Sequence, residues 1–282
     1  MDEDLDALVR RVDEDRWLAA RFAPKPARAR LIALYAVNYE AAKTAAATHD
    51  ETLGDIRLAW WDEQIAKALS DAPGEPPHPA LAALRAAHLE APFTAAEFAA
   101  MIAAREHDLA QAPFATWAEL EAYVDATSGA LMRLALEACG DAAQAGKRHI
   151  DAFSRLGGRA WGYAGLVRAL PHWTARRATF FPENLRTHVG LNLEDFFAGA
   201  TDHAARSATM AVLDRSRNYY RQAKDLAALL PAPCFPAFGY LRLLPGYLRA
   251  LSGGPGREPS AQGQPLLQRQ IALVAGSAMG RI

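Results

Sequence analysis

The stretch "LIALYAVNYEAAKTAAATHD", from Leu31 to Asp50, decides the fold class of this chain. At helical spacing it carries one stripe of mostly apolar or small residues, formed by Leu31, Leu34, Tyr35, Asn38, Ala42 and Ala45. Asn38 is the lone polar member, and a buried amide needs hydrogen-bond partners. We interpret the stretch as a long helix whose stripe forms either a cavity wall or a close helix contact. Periodicity alone favours the helix contact, because apolar stripes usually belong to a core.

The same periodicity recurs along the chain in pieces separated by proline and glycine, while strand-like alternation is almost absent. The predicted helices span residues 3–22, 26–48, 51–70, 78–89, 94–110, 116–139, 142–169, 192–198, 201–229, 233–252 and 264–279. Thr116 and Glu119 have the spacing of a capping box at the start of one of them. We predict an all-α fold with a single domain over residues 1–252, a flexible linker over 253–265 and a C-terminal helix over 266–282.

Composition and charge limit the classes of function. With 31 Lys+Arg and 32 Asp+Glu, the 282 residues carry a net charge of -1. We therefore expect no nucleic-acid partner, which would need a basic surplus. Two cysteines give neither a disulfide framework nor a cysteine-based metal site. The acidic N-terminus lacks the apolar segment of a signal peptide, and no run reaches the ~20 apolar residues of a spanning helix. We expect a cytoplasmic protein, with peripheral membrane contact as the alternative.

Two stretches after the opening helix contain residues of interest but no recognised catalytic motif. In "ETLGDIRLAWWDEQIAKAL" we expect Ile56, Trp60 and Ile65 to face inward, because adjacent tryptophans bury a large area. In "EFAAMIAAREHDLAQ", His107 stands next to Asp108, but the spacing differs from that of a metalloprotease motif. We interpret this second cluster as a solvated helix face rather than a metal site.

The stretch "RLGGRAWGYAGLVRALPHWTARRATFFPENL" carries glycines at every third or fourth position of one helix face, at Gly158, Gly162 and Gly165. Glycine costs about 1 kcal/mol in a helix interior, so three on one face indicate a close neighbour. The neighbour is either another helix backbone or a ligand, and the pattern leaves both open.

Together these stretches resemble the squalene/phytoene synthase family, the head-to-head prenyl transferases of the all-α isoprenoid-synthase fold. Arg28 followed by "YAV" at 35–37 resembles the start of the family's first aspartate-rich helix. "YVDATSGAL" resembles its Tyr…Val-Ala-Gly segment, with Tyr123 and Gly129 matching. "GRAWGYAGLVRAL…FFPENL" resembles the second aspartate-rich helix and the turn after it. The resemblance covers roughly residues 14–250 and implies a helical bundle around a central cavity.

In active members of the family, carboxylates from both aspartate-rich helices bind Mg²⁺, which holds the diphosphate of the substrate. Oxygen ligands and a divalent cation suit this task, because the departing diphosphate carries high negative charge. Here the first pair of positions holds Ala42 and Ala46, and the second pair holds Gly165 and Ala169. The resemblance therefore implies that the metal ligands are lost, and we expect neither a metal nor another cofactor.

The resemblance also implies which residues surround the cavity. The predicted cavity-lining residues are Tyr35, Asn38, Ala42, Ala46, Tyr123, Gly129, Met132, Trp161, Gly162, Gly165 and Ala169. The predicted diphosphate-binding residues are Arg28, Arg168, Arg176 and Arg177, of which the last is one residue out of register. If no ligand needs the room, we expect the side chains of Tyr39, Met132 and Trp161 to fill it.

The pattern "YAVNYE…ETLGDIRLAWW" further resembles a non-catalytic branch of this family, which includes a mitochondrial assembly factor for respiratory complex I. We favour a non-catalytic module that binds a prenyl lipid or prenyl diphosphate, or assembles with a protein partner. The alternative is an active prenyl transferase with displaced ligands, which would need Mg²⁺. A third hypothesis is a membrane-peripheral scaffold that uses the C-terminal helix, although this helix has few basic residues for an anionic surface.

Overall fold

The computed structural model describes residues 4–47, 51–70, 72–140, 146–253, 264–279 and 282. The helices are α1 (Leu5–Val12), α2 (Glu14–Ala20), α3 (Lys25–Ala47), α4 (Glu51–Ala68), α5 (Pro79–Glu90), α6 (Ala95–Ala110), α7 (Trp117–Val124), α8 (Ala130–Ala138), α9 (Lys147–Arg168), α10 (Leu170–Ala175), α11 (Glu183–Val189), α12 (Leu193–Phe197), α13 (His203–Ala227), α14 (Phe235–Phe238), α15 (Leu244–Leu251) and α16 (Leu266–Met279). A π-turn over Asp125–Gly129 joins α7 to α8, and 3₁₀ turns over Ala232–Cys234 and Gly239–Leu243 flank α14. The described residues form no strand, so the predicted all-α class is confirmed.

Helix α3 contains the stretch from which the fold class was predicted. Leu31, Leu34 and Tyr35 are buried, while Asn38 and Ala42, further along the same face, are only half-buried. The helix packs against α5, α6 and α8. Its inward face therefore belongs to the core at its start and to a cavity wall in its second half.

Helices α9 and α13 pack along one another and form the other large part of the core. The buried Ser216 hydroxyl on α13 donates a hydrogen bond to the Ala160 carbonyl oxygen on α9 at 2.6 Å. This bond satisfies a hydroxyl that burial would otherwise leave without a partner. Phe153 and Tyr163 of α9 are fully buried beside it. The contact places α9 between α13 and the cavity that α3 faces.

The glycines of α9 have two different neighbours. A Cβ on Gly158 would lie 2.5 Å from the Cα of Gly129, and a Cβ on Gly162 would lie 2.7 Å from a Val124 methyl group. A Cβ on Gly165 would meet nothing within 4 Å. The first two glycines therefore allow close contact with α7 and the π-turn, whereas Gly165 faces open space. The packing explanation is confirmed for Gly158 and Gly162, and a ligand beside Gly165 stays a prediction.

The region predicted as one helix over 116–139 is divided into α7, the π-turn and α8. The cap predicted at Thr116 is confirmed, because its Oγ1 accepts a hydrogen bond from the Glu119 amide at 3.2 Å. Within the π-turn, the Thr127 hydroxyl donates to the Tyr123 carbonyl oxygen at 2.7 Å. Such π-turns interrupt α-helices often at functional sites, and this one borders the cavity described below.

The inward face predicted for α4 is only partly right. Ile65 is buried, but Ile56 is 62% exposed and Trp60 is 38% exposed. Trp61 is buried instead, and its Nε1 donates to Thr44 Oγ1 at 3.1 Å. Because α4 carries apolar residues on more than one side, its periodicity did not determine which tryptophan packs inward.

The C-terminal helix α16 packs onto the body of the molecule. Most of the predicted linker, residues 254–263, lies outside the described residues. Beyond it, Arg269 forms a buried ion pair with Asp15 of α2, with 2.9 Å between Nη1 and Oδ1, and Leu273 is buried. No described helix is both long enough and apolar enough to cross a bilayer.

Candidate functional site

A cavity of about 360 Å³ opens between α3, α6, α7, the π-turn, α9 and the segment around α10. Its lining combines apolar side chains with arginines and small residues. The lining residues are Arg16, Asn38, Ala42, Arg105, Asp108, Gln111, Tyr123, Val124, Thr127, Ser128, Leu131, Trp161, Gly162, Gly165, Leu166, Ala169, His172, Trp173, Arg176 and Ala178. An apolar wall with a few polar groups is the usual composition of a small-molecule site.

Helices α3 and α9 bring together several residues that the sequence predicted around the cavity. Asn38 and Ala42 lie on the α3 wall, and Gly162, Gly165 and Ala169 lie on the wall formed by α9 and its end. These positions share a helix face on each side because they recur at intervals of three or four residues. The side chain of the predicted Ala46 lies outside the described residues. The two walls therefore present methyl groups and backbone where a metal-binding relative would present carboxylates.

A hydrogen-bonded group of three side chains forms the polar side of the cavity. The Tyr123 hydroxyl donates to Asp108 Oδ1 at 2.7 Å, and Arg105 Nη1 donates to Asp108 Oδ2 at 3.1 Å. Burial raises the pKa of the Tyr123 phenol, and the Asp108 charge raises it further. Burial alone would lower the pKa of Arg105, but the neighbouring Tyr123 and Asp108 raise it. Tyr123 therefore remains a neutral donor and Arg105 a cation at ordinary pH.

The predicted solvated face around His107 is wrong. Asp108 has only 17% of its side chain exposed and points to the cavity. The His107 ring stacks on Phe114 with 3.9 Å between ring centroids. Burial lowers the pKa of His107, which favours the neutral ring. The motif is thus part of the cavity wall and of the packing behind it.

Arg16 lies in the cavity lining although its side chain is only 9% exposed. Its Nη1 forms an ion pair with Asp13 at 2.6 Å, and its guanidinium carbon lies 4.9 Å from the Tyr240 ring centroid. Burial disfavours its charge, but Asp13 together with Tyr240 and Tyr35 raises the pKa of Arg16. The Nε–H of Arg16 has no hydrogen-bond partner. This nitrogen is itself buried, so the cavity does not expose it.

Of the predicted diphosphate-binding arginines, Arg176 is in the cavity lining. Arg28 and Arg177 lie away from the cavity. Arg28 Nη2 donates to the Ala23 carbonyl oxygen at 2.9 Å and so holds the turn after α2. Arg177 has a left-handed backbone, with φ of 52°, and its exposed side chain pairs with Glu194. Neither of these two side chains contributes to the cavity wall.

Arg168 also serves the fold rather than the cavity. Its Nη1 lies 3.7 Å from Asp15 Oδ2, and its guanidinium carbon lies 4.3 Å from the Tyr247 ring centroid. It also lies 5.8 Å from the ring centroid of Trp161, which is a lining residue. Arg168 therefore links the end of α9 to α2 and α15 and is not itself in the lining.

Three residues predicted to line the cavity are buried next to it instead. Tyr35 packs in the core under the cavity, and its hydroxyl has no hydrogen-bond partner. Met132 faces Gly157, where an added Cβ would lie 2.6 Å from its sulfur. Gly129 is in contact with the backbone of Gly158. Met132 therefore fills a gap between helices and leaves the cavity open.

The cavity donors do not fit a Mg²⁺ clamp. This cation takes oxygen ligands in octahedral geometry, and protein sites anchor it through one or two free carboxylates beside water and substrate phosphates. Among the described residues of the lining, Asp108 is the one carboxylate, and Arg105 and Tyr123 already occupy it. Across the described ranges, no group of three or more His, Cys, Asp or Glu residues could hold a metal ion. No step of a reaction is therefore assigned to Mg²⁺ in this protein.

Sequence reasoning missed Arg16 and Arg105 as cavity residues. For Arg105 a signal exists, because it stands three residues before Asp108 on α6, and such pairs meet on a helix surface. For Arg16 the sequence contains no such signal, because the position of its side chain depends on how α2 packs against α9 and the turn at Tyr240.

Comparison with known proteins gives three concordant results. The squalene/phytoene synthase family model matches residues 9–268. The "NADH dehydrogenase (ubiquinone) complex I, assembly factor 6" of Mus musculus is 27% identical over 245 residues, covering 86% of this chain and 72% of the relative. The protein of the same name from Homo sapiens is 26% identical over 232 residues, which cover 82% of this chain and 68% of the relative.

Solved structures agree on the fold. A dehydrosqualene synthase in complex with ligand superposes with a TM-score of 0.75 at 14% identity, covering 98% of this chain and 94% of that one. The squalene synthase HpnC from Alicyclobacillus acidocaldarius superposes with a TM-score of 0.70 at 17% identity, covering 98% of this chain and 92% of that one. The predicted isoprenoid-synthase type of helical bundle is thereby confirmed.

Proposed function

The chain belongs to the squalene/phytoene synthase family, and on that premise we propose that it is a non-catalytic member. Its function would be to support assembly of a respiratory NADH dehydrogenase complex. One observation supports the non-catalytic part. Ala42, Gly165 and Ala169 stand at positions where active members of the family have metal-binding acids, and all three lie in the cavity lining. Ionisation of a prenyl diphosphate requires the leaving charge to be neutralised. Among the described lining residues the one carboxylate is Asp108, which Arg105 and Tyr123 already occupy.

The assembly part of the proposal is supported by the relatives. Those from Mus musculus and Bos taurus are both named as complex I assembly factors, and the similarity extends over 86% of this chain. Similarity over this length includes the helices that form the cavity as well as those on the surface. We also propose that the protein works from the cytoplasm, next to the membrane-bound complex that it serves.

The cavity is retained in this proposal as a binding site for one amphipathic ligand. Its volume of about 360 Å³ is near the lower end of the ~300–1,000 Å³ usual for small-molecule sites. Trp161 and Leu131 would contact an apolar body, and the lining arginines Arg105 and Arg176 would attract an anionic head group. A prenyl lipid or prenyl diphosphate has this chemistry. Binding would need no metal or other cofactor.

Incubation of the pure protein with radiolabelled farnesyl and geranylgeranyl diphosphate, with and without Mg²⁺, tests the catalytic part. We expect no consumption of either compound under any condition. An active dehydrosqualene synthase, assayed in parallel, serves as the positive control. Consumption that depends on Mg²⁺ would support the alternative of an active prenyl transferase and end the non-catalytic proposal. Retained but unchanged label would support the binding role.

Deletion of the gene in its source organism tests the assembly part. We expect native gels of the membranes to show less assembled NADH dehydrogenase complex, with its other respiratory complexes unchanged. Wild-type protein supplied in trans should restore the complex, and so should the Arg28→Gln variant, because Arg28 lies away from the cavity. Unchanged amounts of the complex after deletion would contradict this function.

A further inference from the structure

The outward side of α16 carries a row of exposed apolar residues, next to the exposed Gln268 and Gln270. Leu267, Ile271 and Val274 recur at intervals of four and three residues and are 66%, 60% and 58% exposed. Residues at this spacing lie on one side of a helix. On the opposite side, Leu273 is buried against the body of the protein. The helix therefore carries apolar residues on the side that packs and on the side that faces water.

This arrangement is unusual for a surface helix, whose outer face normally carries charged and polar groups. Within 266–279 the one charged residue is Arg269. Its side chain is 9% exposed, and it forms ion pairs with Glu14 at 2.5 Å and Asp15 at 2.9 Å. No charge remains on the outer side of α16 to make it favour water. Contiguous exposed apolar surface of this kind marks interaction sites.

A basic groove runs beside this face and shares Ile271 with it. Three cationic residues from three other elements line the groove: Lys224 of α13, Arg242 of the 3₁₀ turn over Gly239–Leu243 and Arg249 of α15. Lys224 and Arg249 are exposed. The sequence of α16 alone contains too few basic residues for an anionic surface, but the packing of α13 and α15 supplies them. Asp225 is the acidic neighbour of Lys224 on α13 and lies outside the groove lining.

We propose that α16 and the basic groove form a docking surface for a bilayer that contains anionic lipids. Leu267, Ile271 and Val274 enter the boundary between head groups and acyl chains, and Lys224 and Arg249 contact lipid phosphates. Amphipathic helices bind bilayers by this combination of apolar burial and attraction to anionic lipids. The charge pattern favours a bilayer over a second copy of the chain, because a two-fold contact would bring the same cations towards each other. This surface does not depend on the cavity or on the proposed assembly function.

Co-sedimentation with vesicles tests the proposal. Full-length protein is mixed with vesicles of phosphatidylcholine alone or of phosphatidylcholine with phosphatidylglycerol, at low and high salt. We expect pelleting with the anionic vesicles, weaker pelleting with phosphatidylcholine alone, and a loss of binding as salt rises. Failure to pellet with any vesicle, or equal pelleting with both compositions, would overturn the proposal.

Two matched pairs of variants assign the binding to this surface. The triple variant Leu267→Ser, Ile271→Ser, Val274→Ser should lower the apparent affinity for anionic vesicles at least tenfold. Its control is Leu89→Ser on α5, which removes an equally exposed leucine elsewhere and should change nothing. Lys224→Gln with Arg249→Gln should lower the affinity about tenfold or more, and Lys67→Gln on α4 should leave it unchanged.

Because the substituted side chains are exposed, the variants should melt at the temperature of the wild type, and melting curves check this. Equal affinity of folded variants and wild type would refute the assignment. Gel filtration measures the oligomeric state and tests whether a second copy of the chain binds this face instead. A wild-type dimer that becomes a monomer in the triple α16 variant would show that it does, and would overturn the proposal.

Discussion

At the residue scale, the glycines of α9 show how the same residue type serves two purposes. Gly158 allows the backbone of the π-turn to approach, because no side chain stands between them. Gly165 leaves space open at the cavity, on the same face two turns later. The first is needed for packing between helices, and the second only determines the shape of the cavity.

We predict that Gly158→Ala lowers the free energy of unfolding by about 1–3 kcal/mol, because its Cβ would lie 2.5 Å from the Gly129 Cα, and backbone cannot move aside cheaply. Gly165→Ala serves as the matched control. It should leave stability unchanged or raise it by up to about 1 kcal/mol, since alanine is the better helix former. Urea denaturation followed by circular dichroism measures both. A loss of equal size in the two variants would contradict the assigned contacts.

Arg16 is the other residue that defines the site at this scale. Its guanidinium is held among Tyr35, Tyr240 and Trp161, and Asp13 neutralises part of its charge. Removing one partner of a buried ion pair leaves the other charge without compensation. Arg16 therefore belongs to the packing of the cavity wall, with Asp13 compensating its charge.

At the element scale, the orientation of α4 depends on which of two adjacent tryptophans packs inward. Trp61 is 5% exposed and hydrogen-bonded to Thr44 on α3, whereas Trp60 is 38% exposed. The two rings meet edge to face at 5.2 Å. The Trp61 indole therefore joins α4 to α3, and Trp60 covers it from outside.

We predict that Trp61→Ala lowers the free energy of unfolding by about 3–5 kcal/mol, because it leaves a cavity between α3 and α4 and removes the indole hydrogen bond to Thr44. Trp60→Ala should cost only about 1 kcal/mol, because a large part of that side chain already contacts water. Chemical denaturation of the two variants and the wild type provides the comparison. Equal losses, or a larger loss at Trp60, would show that α4 is turned the other way.

At the scale of the whole molecule, the core contains an unusual number of phenol groups. Burial raises the pKa of seven of the eight tyrosines. These are Tyr35, Tyr123, Tyr163, Tyr219, Tyr220, Tyr240 and Tyr247. They lie on α3, α7, α9, α13, α15 and the second 3₁₀ turn, so ionisation of the tyrosines involves the entire fold.

We predict that tyrosine ionisation does not change the free energy of unfolding below pH ~10, and that this free energy falls steeply as the pH rises further. Unfolded tyrosine has a pKa of about 10, and the folded phenols hold their protons to higher pH, so the unfolded state loses protons first. Absorbance of tyrosinate at alkaline pH should therefore rise together with the loss of helical circular dichroism. Ionisation of most tyrosines near pH 10 while the helical signal persists would contradict the burial described here.

The sequence alone determined the all-α class, the family and the loss of carboxylates at Ala42, Gly165 and Ala169. These follow from local patterns, since helical periodicity and motif spacing extend over a few turns and need no knowledge of distant segments. The family resemblance, rather than periodicity, implied that α3 and α9 form opposite walls of one cavity. Local patterns did not reveal the division of the N-terminal helix into α1 and α2, or the short helices α10 and α11.

The tertiary structure alone decided what the charged residues do. Arg168 was expected at the cavity and lies against Asp15 and Tyr247 instead, while Arg16 occupies the lining. The cations beside α16 likewise come from elements far apart in sequence. The physical reason is that a long, flexible arginine or lysine side chain finds its partner by proximity in space. Proximity depends on how whole helices pack, which no spacing along the chain encodes.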